Sequence, residues 1–511
     1  AHVNQSLQYI FFNGSPILLT QFADPFNEQL RLRKMGLFAQ DQWTLRKLTL
    51  NVGLRYDNLK GWVQPQEIPA GRFVAARSFG KVDNVPNFKD INPRVSAAYD
   101  LLGNGKTAVK VSFGRYVSSQ GVGITEQNNP ALLAVPNTSR QWTDANGSYT
   151  PDCNLNNFAA NGECGPVFNN LFGTVVRSTT YADDVIRGWG NRTYTWQGSM
   201  TFQRELRPGL SVTVGYFRNW YGNILVNVNQ ALTPADFDSY CVTAPQDPRL
   251  PGGGGNQICG NVDVNPDKLG QVSTLVEQAS DLHVGDVKRV YDGVDVGLTG
   301  RFRKLTQLTG GVSFGRTIFD DCALNRTPQA FATGYGWVEN GLEAALGGGA
   351  HPLSSPFCHV GAPWSKTTQV KISGVLALPY EFEVAGVFQN LPGHEVFTRF
   401  AANACGVTTC LTYADREVAP ALGRNLSTGS AVIPIVPPHT LFEARLTQLD
   451  LRVTKVLRLG GQRRVMAHLD LYNVFNSDTV TGVNSVFGSE YLTVQQIMTG
   501  RFARFGVQID F

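Results

Sequence analysis

The residues with most capacity for chemistry are eight cysteines, which fall into four close couples: Cys153/Cys164, Cys241/Cys259, Cys322/Cys358 and Cys405/Cys410. None has the C-x-x-C spacing of a metal or redox site. The spacing favours four local disulfides made in an oxidising compartment, each removing roughly 3 kcal/mol of denatured-state entropy. Only His359, beside Cys358, speaks for thiols bound to a metal instead. The seven histidines (His2, His283, His351, His359, His394, His439, His468) are scattered. Two carboxylate pairs, Asp183–Asp184 and Asp320–Asp321, could take Ca²⁺, but solvated turn residues are the preferred reading. Gly252–Gly255 is not followed by Lys and Ser/Thr, so it is no phosphate-binding loop, and neither H-E-x-x-H nor G-x-S-x-G occurs. No catalytic constellation, metal site or cofactor site is expected.

The elements that must carry these cysteines show a period of two. In the last eleven residues, Ala503, Phe505, Val507, Ile509 and Phe511 alternate with Arg504, Gly506, Gln508 and Asp510. Side chains alternate faces along a strand, so the segment has one apolar and one wet face. Leu48–Asp57 repeats the pattern, with Leu48, Leu50, Val52, Leu54 and Tyr56 on one side. Asn92–Leu101, Lys106–Val117 and the later hairpins follow suit. Charged residues are only 16% of the chain, against about a quarter in ordinary soluble domains. That balance suits a protein with one face to lipid and one to a polar lumen. The net charge of +4 implies no nucleic-acid partner. No apolar run reaches the length of a membrane helix; the most apolar, Ala431–Pro437, is short and broken by proline.

Taken in order, the strands begin with Gln5–Phe12 and Pro16–Phe22 around an Asn13-Gly14 turn. Lys34–Leu45 and Leu48–Asp57 follow, then a polar stretch from Asn58 to Asp90. From there, connections alternate strictly between tight turns and long loops, and the long loops hold all eight cysteines. Short turns on one side and long loops on the other mark a transmembrane antiparallel up-and-down β-barrel of all-β class. A sandwich or propeller does not put a long loop at every second connection. With the last strand ending on the periplasmic side, every long loop is extracellular. Opposite the apolar face stand Arg55, Asp57, Arg94, Asp100, Lys110, Asp295, Arg301, Lys371, Asp450, Arg452, His468 and Asp470. These face a wet lumen, either bridging to one another or contacting a ligand or plug, since such groups are costly against lipid. Trp43, Tyr56, Tyr99, Tyr116, Trp196, Tyr216, Trp220 and Tyr221 lie near strand ends, as in interfacial girdles.

Several segments resemble one family. Phe38–Trp43 (FAQDQW) with Leu48–Asp57 (LTLNVGLRYD) is similar to the mid-barrel hairpin of TonB-dependent outer-membrane receptors. Asn92–Tyr116, Gly215–Asn223 (GYFRNWYGN), Asp470–Asn476 (DLYNVFN) and the terminal Phe511 resemble its large Oar-like branch. The resemblance implies energy-coupled transport of a large ligand, of oligosaccharide, peptide or protein type more than an iron chelate. It implies the outer-membrane lipid of a Gram-negative bacterium, the barrel-assembly machinery reading Phe511, and the TonB energy complex as partners. The alternative is a surface-structural or adhesion protein that uses its barrel as an anchor. About fifteen strands are countable against the 22 of the family, and no position matches its plug or TonB contact. The expectation is that residues 1–511 are the carboxy-terminal part of one barrel domain.

Overall fold

The computed structural model describes residues 6–26, 28–302, 306–332, 357–396, 409–460 and 463–510. Thirteen strands follow one another in sequence order through a single antiparallel sheet. They are β1 (Leu30–Leu45), β2 (Leu48–Val63), β3 (Val82–Asp100), β4 (Thr107–Val117), β5 (Tyr194–Arg207), β6 (Leu210–Gly222) and β7 (Lys288–Arg301). Then come β8 (Gln307–Asp320), β9 (Gln369–Leu378), β10 (Phe382–Leu391), β11 (Leu446–Gly460), β12 (Arg463–Tyr472) and β13 (Phe502–Asp510). Two short segments pair onto this path, Arg187–Trp189 with β3 and His359–Gly361 with β8, which makes the sheet fifteen-stranded. The outermost strands, β1 and β13, are not paired with each other among the described residues. No described helix is long and apolar enough to cross a membrane.

The register explains the alternating sequence. Directly paired residues share a face, and Val52, Val95 and Phe113 are paired in turn across β2, β3 and β4. Val214, Val296, Val312 and Val370 continue such a row from β6 to β9, and Val453, Leu469 and Phe505 close it from β11 to β13. Among the described residues nothing covers this face: Phe505 is 80% exposed and Leu54 52%. Trp43, Tyr56, Tyr99, Trp196, Tyr216 and Trp220 belong to it, with Phe113 stacked on Trp196 at 4.7 Å. Tyr116 and Tyr221 differ from expectation. Both pair with Thr195, on the opposite, polar face. The tight turns use the conformations their sequences permit. Between β3 and β4, Gly103 and Gly105 adopt φ of 70° and 71°.

Two sequence expectations need correction. The first hairpin, Leu7–Phe12 with Ser15–Phe22, is not part of the wall. It pairs with Asn137–Trp142 and, through it, with Cys164–Val167, in a separate four-stranded sheet built on Leu19, Trp142 and Cys164. Its inner end, Leu19 to Phe22, is buried on both faces, which a lipid-exposed strand is not. The polar stretch 58–90 is also not all loop. Strands β2 and β3 run on as far as the Val63–Val82 pair. Their extensions are covered by protein instead of lipid: Leu59 and Val63 are buried, and Thr125 donates to the Val85 carbonyl at 2.6 Å.

The long connections pack on one another. Tyr240, Val242, Leu250 and Ile258 from one loop meet Tyr413, Val418, Ile433 and Val436 from a second and Val483 and Tyr491 from a third. Polar ties reinforce this core: Arg424 donates to Asp238 at 2.9 Å and also contacts Asp263, and Tyr413 donates to the Thr243 carbonyl at 3.0 Å. Arg249 donates to the carbonyls of Gly488 and Tyr491 at 3.1 and 3.0 Å. Its guanidinium, hydrogen-bonded to Asp247, holds that carboxyl down at about 2.

Cys153–Cys164, Cys241–Cys259 and Cys322–Cys358 are disulfide-bonded. Cys410 is disulfide-bonded as well, and its expected partner Cys405 lies outside the described residues, as does Phe511. Cys241 and Cys259 face each other in the hairpin Phe237–Thr243/Gln257–Val264. Replacing both by serine removes a crosslink worth roughly 3 kcal/mol. The expected result is faster proteolysis within 237–264 with unchanged heat-modifiable migration of the wall. Loss of the migrating folded form would show that this crosslink serves the wall itself.

Candidate functional site

The polar face of the wall is a field of cross-strand pairs. Arg452, Asp470 and Arg504 are paired in register across β11, β12 and β13. The buried Asp470 carboxylate accepts from Arg452 at 2.5 and 3.0 Å and lies 3.0 Å from Arg504 Nη2, so one anion is shared by two cations. Asp450 accepts from Gln448 at 3.0 Å and from the Asn473 backbone at 2.8 Å. Lys110 donates to Gln203 at 3.1 Å. His468 sits opposite Gly506, where a Cβ would stand 2.3 Å from its Nε2, so glycine there gives the imidazole room. Asp295, Arg301 and Lys371 stand on the same face with no ion pair among the described residues. Asp100 is different. Its carboxylate accepts from the Gly103 and Gly105 backbones at 3.0 and 2.8 Å, which caps the β3–β4 turn.

The same face forms a recess at the loop end of β1 to β4. Here Arg55 is clamped to Asp57 at 2.9 Å, and Asp57 also accepts from Asn92 at 2.8 Å. Gly36 lies opposite Asp57, and a Cβ there would meet Arg55 Nη2 at 2.2 Å. The guanidinium therefore occupies the space of a missing side chain. Arg94 lies over the Tyr116 ring at 4.5 Å. Above these, the chain leaves β4 as Ser118–Gln120 and closes one side of a cavity of about 330 Å³, to which Lys34 and Arg192 also contribute.

Beside the recess lies a buried charge cluster. The Asp90 side chain is wholly buried. It accepts from Arg192 Nε at 3.0 Å and lies 3.5 Å from Arg115 Nη1. Arg115 donates further to Asn92 at 3.1 Å and the Gly190 carbonyl at 3.2 Å, and lies 4.3 Å from the centre of the Tyr194 ring. The cluster ties the returning loop to the wall where Arg187–Trp189 adds to β3 in parallel. Sequence reading singled out Arg55, Asp57 and Arg94 but missed Lys34, Asp90, Arg115 and Arg192. Arg192 sits in a loop, and Arg115 lies on the strand face that alternation assigns to lipid.

The paired carboxylates do not assemble a cation site among the described residues. Asp320 meets His359 Nδ1 at 3.1 Å, Asp321 accepts from Arg289 at 2.8 Å, and Asp183 pairs with Arg187. Asp184 lies near Asp281 and Glu277 of another loop, so three carboxyls share one region. Burial first, and Asp281 second, push the Asp184 and Glu277 carboxyls above their usual range.

The sequence matches the family described as an outer membrane beta barrel domain over residues 9–336. No curated protein matches. Among solved structures, the outer membrane transporter YddB from Escherichia coli aligns at 10% identity and TM-score 0.41, covering 96% of this chain and 54% of that one. The siderophore receptor PiuA from Acinetobacter baumannii aligns at 10% identity and TM-score 0.39, covering 96% and 44%. The FrpB iron transporter from Neisseria meningitidis aligns at 12% and 0.42, covering 94% and 46%. The chain spans about half the length of these structures.

Proposed function

The chain belongs to the outer-membrane β-barrel domain family, and from that premise we propose that it is the wall and loop portion of a TonB-dependent transporter. The observation that carries this reading is the contrast between the two faces of the wall. The outer face is apolar and bare, while the inner face carries pairs such as Arg452–Asp470–Arg504 and the recess around Arg55 and Arg94. A wall that only anchors loops needs the first face. The second suits a wetted passage that a ligand crosses. The packed core of three long loops offers a broad binding surface above it. Such a surface suits an oligosaccharide, peptide or protein more than a compact iron chelate.

The test compares solutes removed from the medium by cells with and without the complete gene, each in TonB-positive and TonB-negative backgrounds. Depletion of a large solute only when gene and TonB are both present is the expected result. Surface adherence that needs the gene, without any TonB-dependent depletion, would establish the anchor reading instead.

A further inference from the structure

We propose that the recess between β1–β4 and Ser118–Gln120 is a binding site for an acidic saccharide unit, an oxyanion flanked by hydroxyl groups. The inference rests on the transport reading for its biological sense and narrows the ligand class. The binding itself follows from the recess. Four cations, Lys34, Arg55, Arg94 and Arg192, line the cavity against one carboxylate, Asp57. That carboxylate is already taken by Arg55 and Asn92. The buried Asp90 behind the cavity neutralises only one of the two guanidiniums it touches. Lys34 and Arg94 have no carboxylate partner among the described residues, and Arg94 rests on the Tyr116 ring. The local excess of positive charge is therefore met by no anion of the described protein. A guanidinium held in place by an aromatic face presents its donors in a fixed fork, which matches a carboxylate or phosphate.

Two further groups point to hydroxyls beside the anion. The Ser118 hydroxyl and the Gln120 Oε1 are shielded from water and have no hydrogen-bond partner among the described residues. A buried polar atom without a partner is costly, and a ligand that supplies one recovers that cost. Turned into the recess, Ser118 can donate to an oxyanion, while Gln120 Oε1 requires a donor, which a sugar hydroxyl supplies and a bare anion does not. The cavity of about 330 Å³ is within the range of small-ligand sites and holds one sugar ring.

The experiment uses the full-length protein purified in detergent, without TonB, and titrates it with glucose 6-phosphate, glucuronate and glucose by calorimetry. At least one acidic sugar is expected to bind about tenfold or more tightly than glucose, and its affinity should fall as salt is raised. Binding of both acids establishes the shared oxyanion chemistry; binding of one assigns phosphate or carboxylate as its source. Lys34→Gln and Arg94→Gln should each weaken acid binding about tenfold while leaving heat-modifiable migration intact, the exposed Lys34 serving if Arg94→Gln fails to assemble. Equal affinity for glucose, no measurable binding of either acid, or indifference to both substitutions would overturn the proposal. Binding without TonB-dependent uptake would instead count against the transport reading alone.

Discussion

Replacing Asp90 by alanine is expected to lower stability by about 3–5 kcal/mol, because it leaves two guanidiniums buried with no anion between them. The side chains of Arg115 and Arg192 are 9% and 7% exposed, so water cannot take over the role of the carboxylate. Arg115 retains the Asn92 side chain and the Gly190 carbonyl as acceptors, but these are neutral. The order of effects is more telling than any single value. Asp90→Asn keeps shape and an acceptor while losing the charge, and falls below alanine in cost. Arg192→Met leaves the Asp90–Arg115 pair whole and removes the second buried cation, so it costs least. The measurement is the temperature at which the folded, fast-migrating form disappears in detergent. If Asp90→Ala falls no further than Arg192→Met, the cluster is not acting as a shared-anion clamp. Protease access near 187–193 should rise with the same ranking, since the segment Arg187–Trp189 is held on β3 beside the cluster.

The wall was legible in the sequence because lipid imposes a rule that reads locally. Every second residue of a lipid-facing strand segment such as Leu48–Asp57 must be apolar, whatever the rest of the chain does. The alternation of tight turns and long loops then gave strand order without any contact being known. The loops obey no such rule. Val418, Val436 and Tyr491 come from segments far apart in sequence and form a core only when three loops meet. The one local hint was Ala431–Pro437, a short apolar run that holds the buried Ile433, Ile435 and Val436. The first hairpin shows the limit from the other side. Its Asn13-Gly14 turn between two short strands predicts a hairpin correctly, but its pairing is decided by Trp142 and Cys164, more than a hundred residues on. In the recess, Arg55 and Arg94 were legible as residues of the polar face. Asp90 was not, since it lies in a stretch whose polar composition reads as loop while its strand continues above the apolar belt.

Tyr491→Ala tests whether the three loops behave as one body. Tyr491 is 2% exposed, its hydroxyl lies 3.1 Å from Thr409 Oγ1, its ring centroid is 5.4 Å from that of Phe487, and Arg249 lies 5.5 Å from the ring centre. Truncating a buried aromatic of this kind costs about 3–5 kcal/mol. In a shared core that cost is felt by all the contributing segments. Proteolysis is therefore expected to quicken together at 237–264, 409–436 and 480–494. Tyr491→Phe, which keeps the ring and loses only the hydroxyl's bond, should cost about 1 kcal/mol and shift all three slightly. The wall should keep its heat-modifiable migration, because the strand-to-strand hydrogen bonds of β1–β13 do not run through this core. Cleavage that rises only in the loop carrying residue 491 would mean three independent loops resting in contact. Loss of the folded wall would mean that the loop core contributes to holding the strands in their register, a coupling that β6, β7, β10, β11, β12 and β13, whose loop ends lead into these three segments, are placed to transmit.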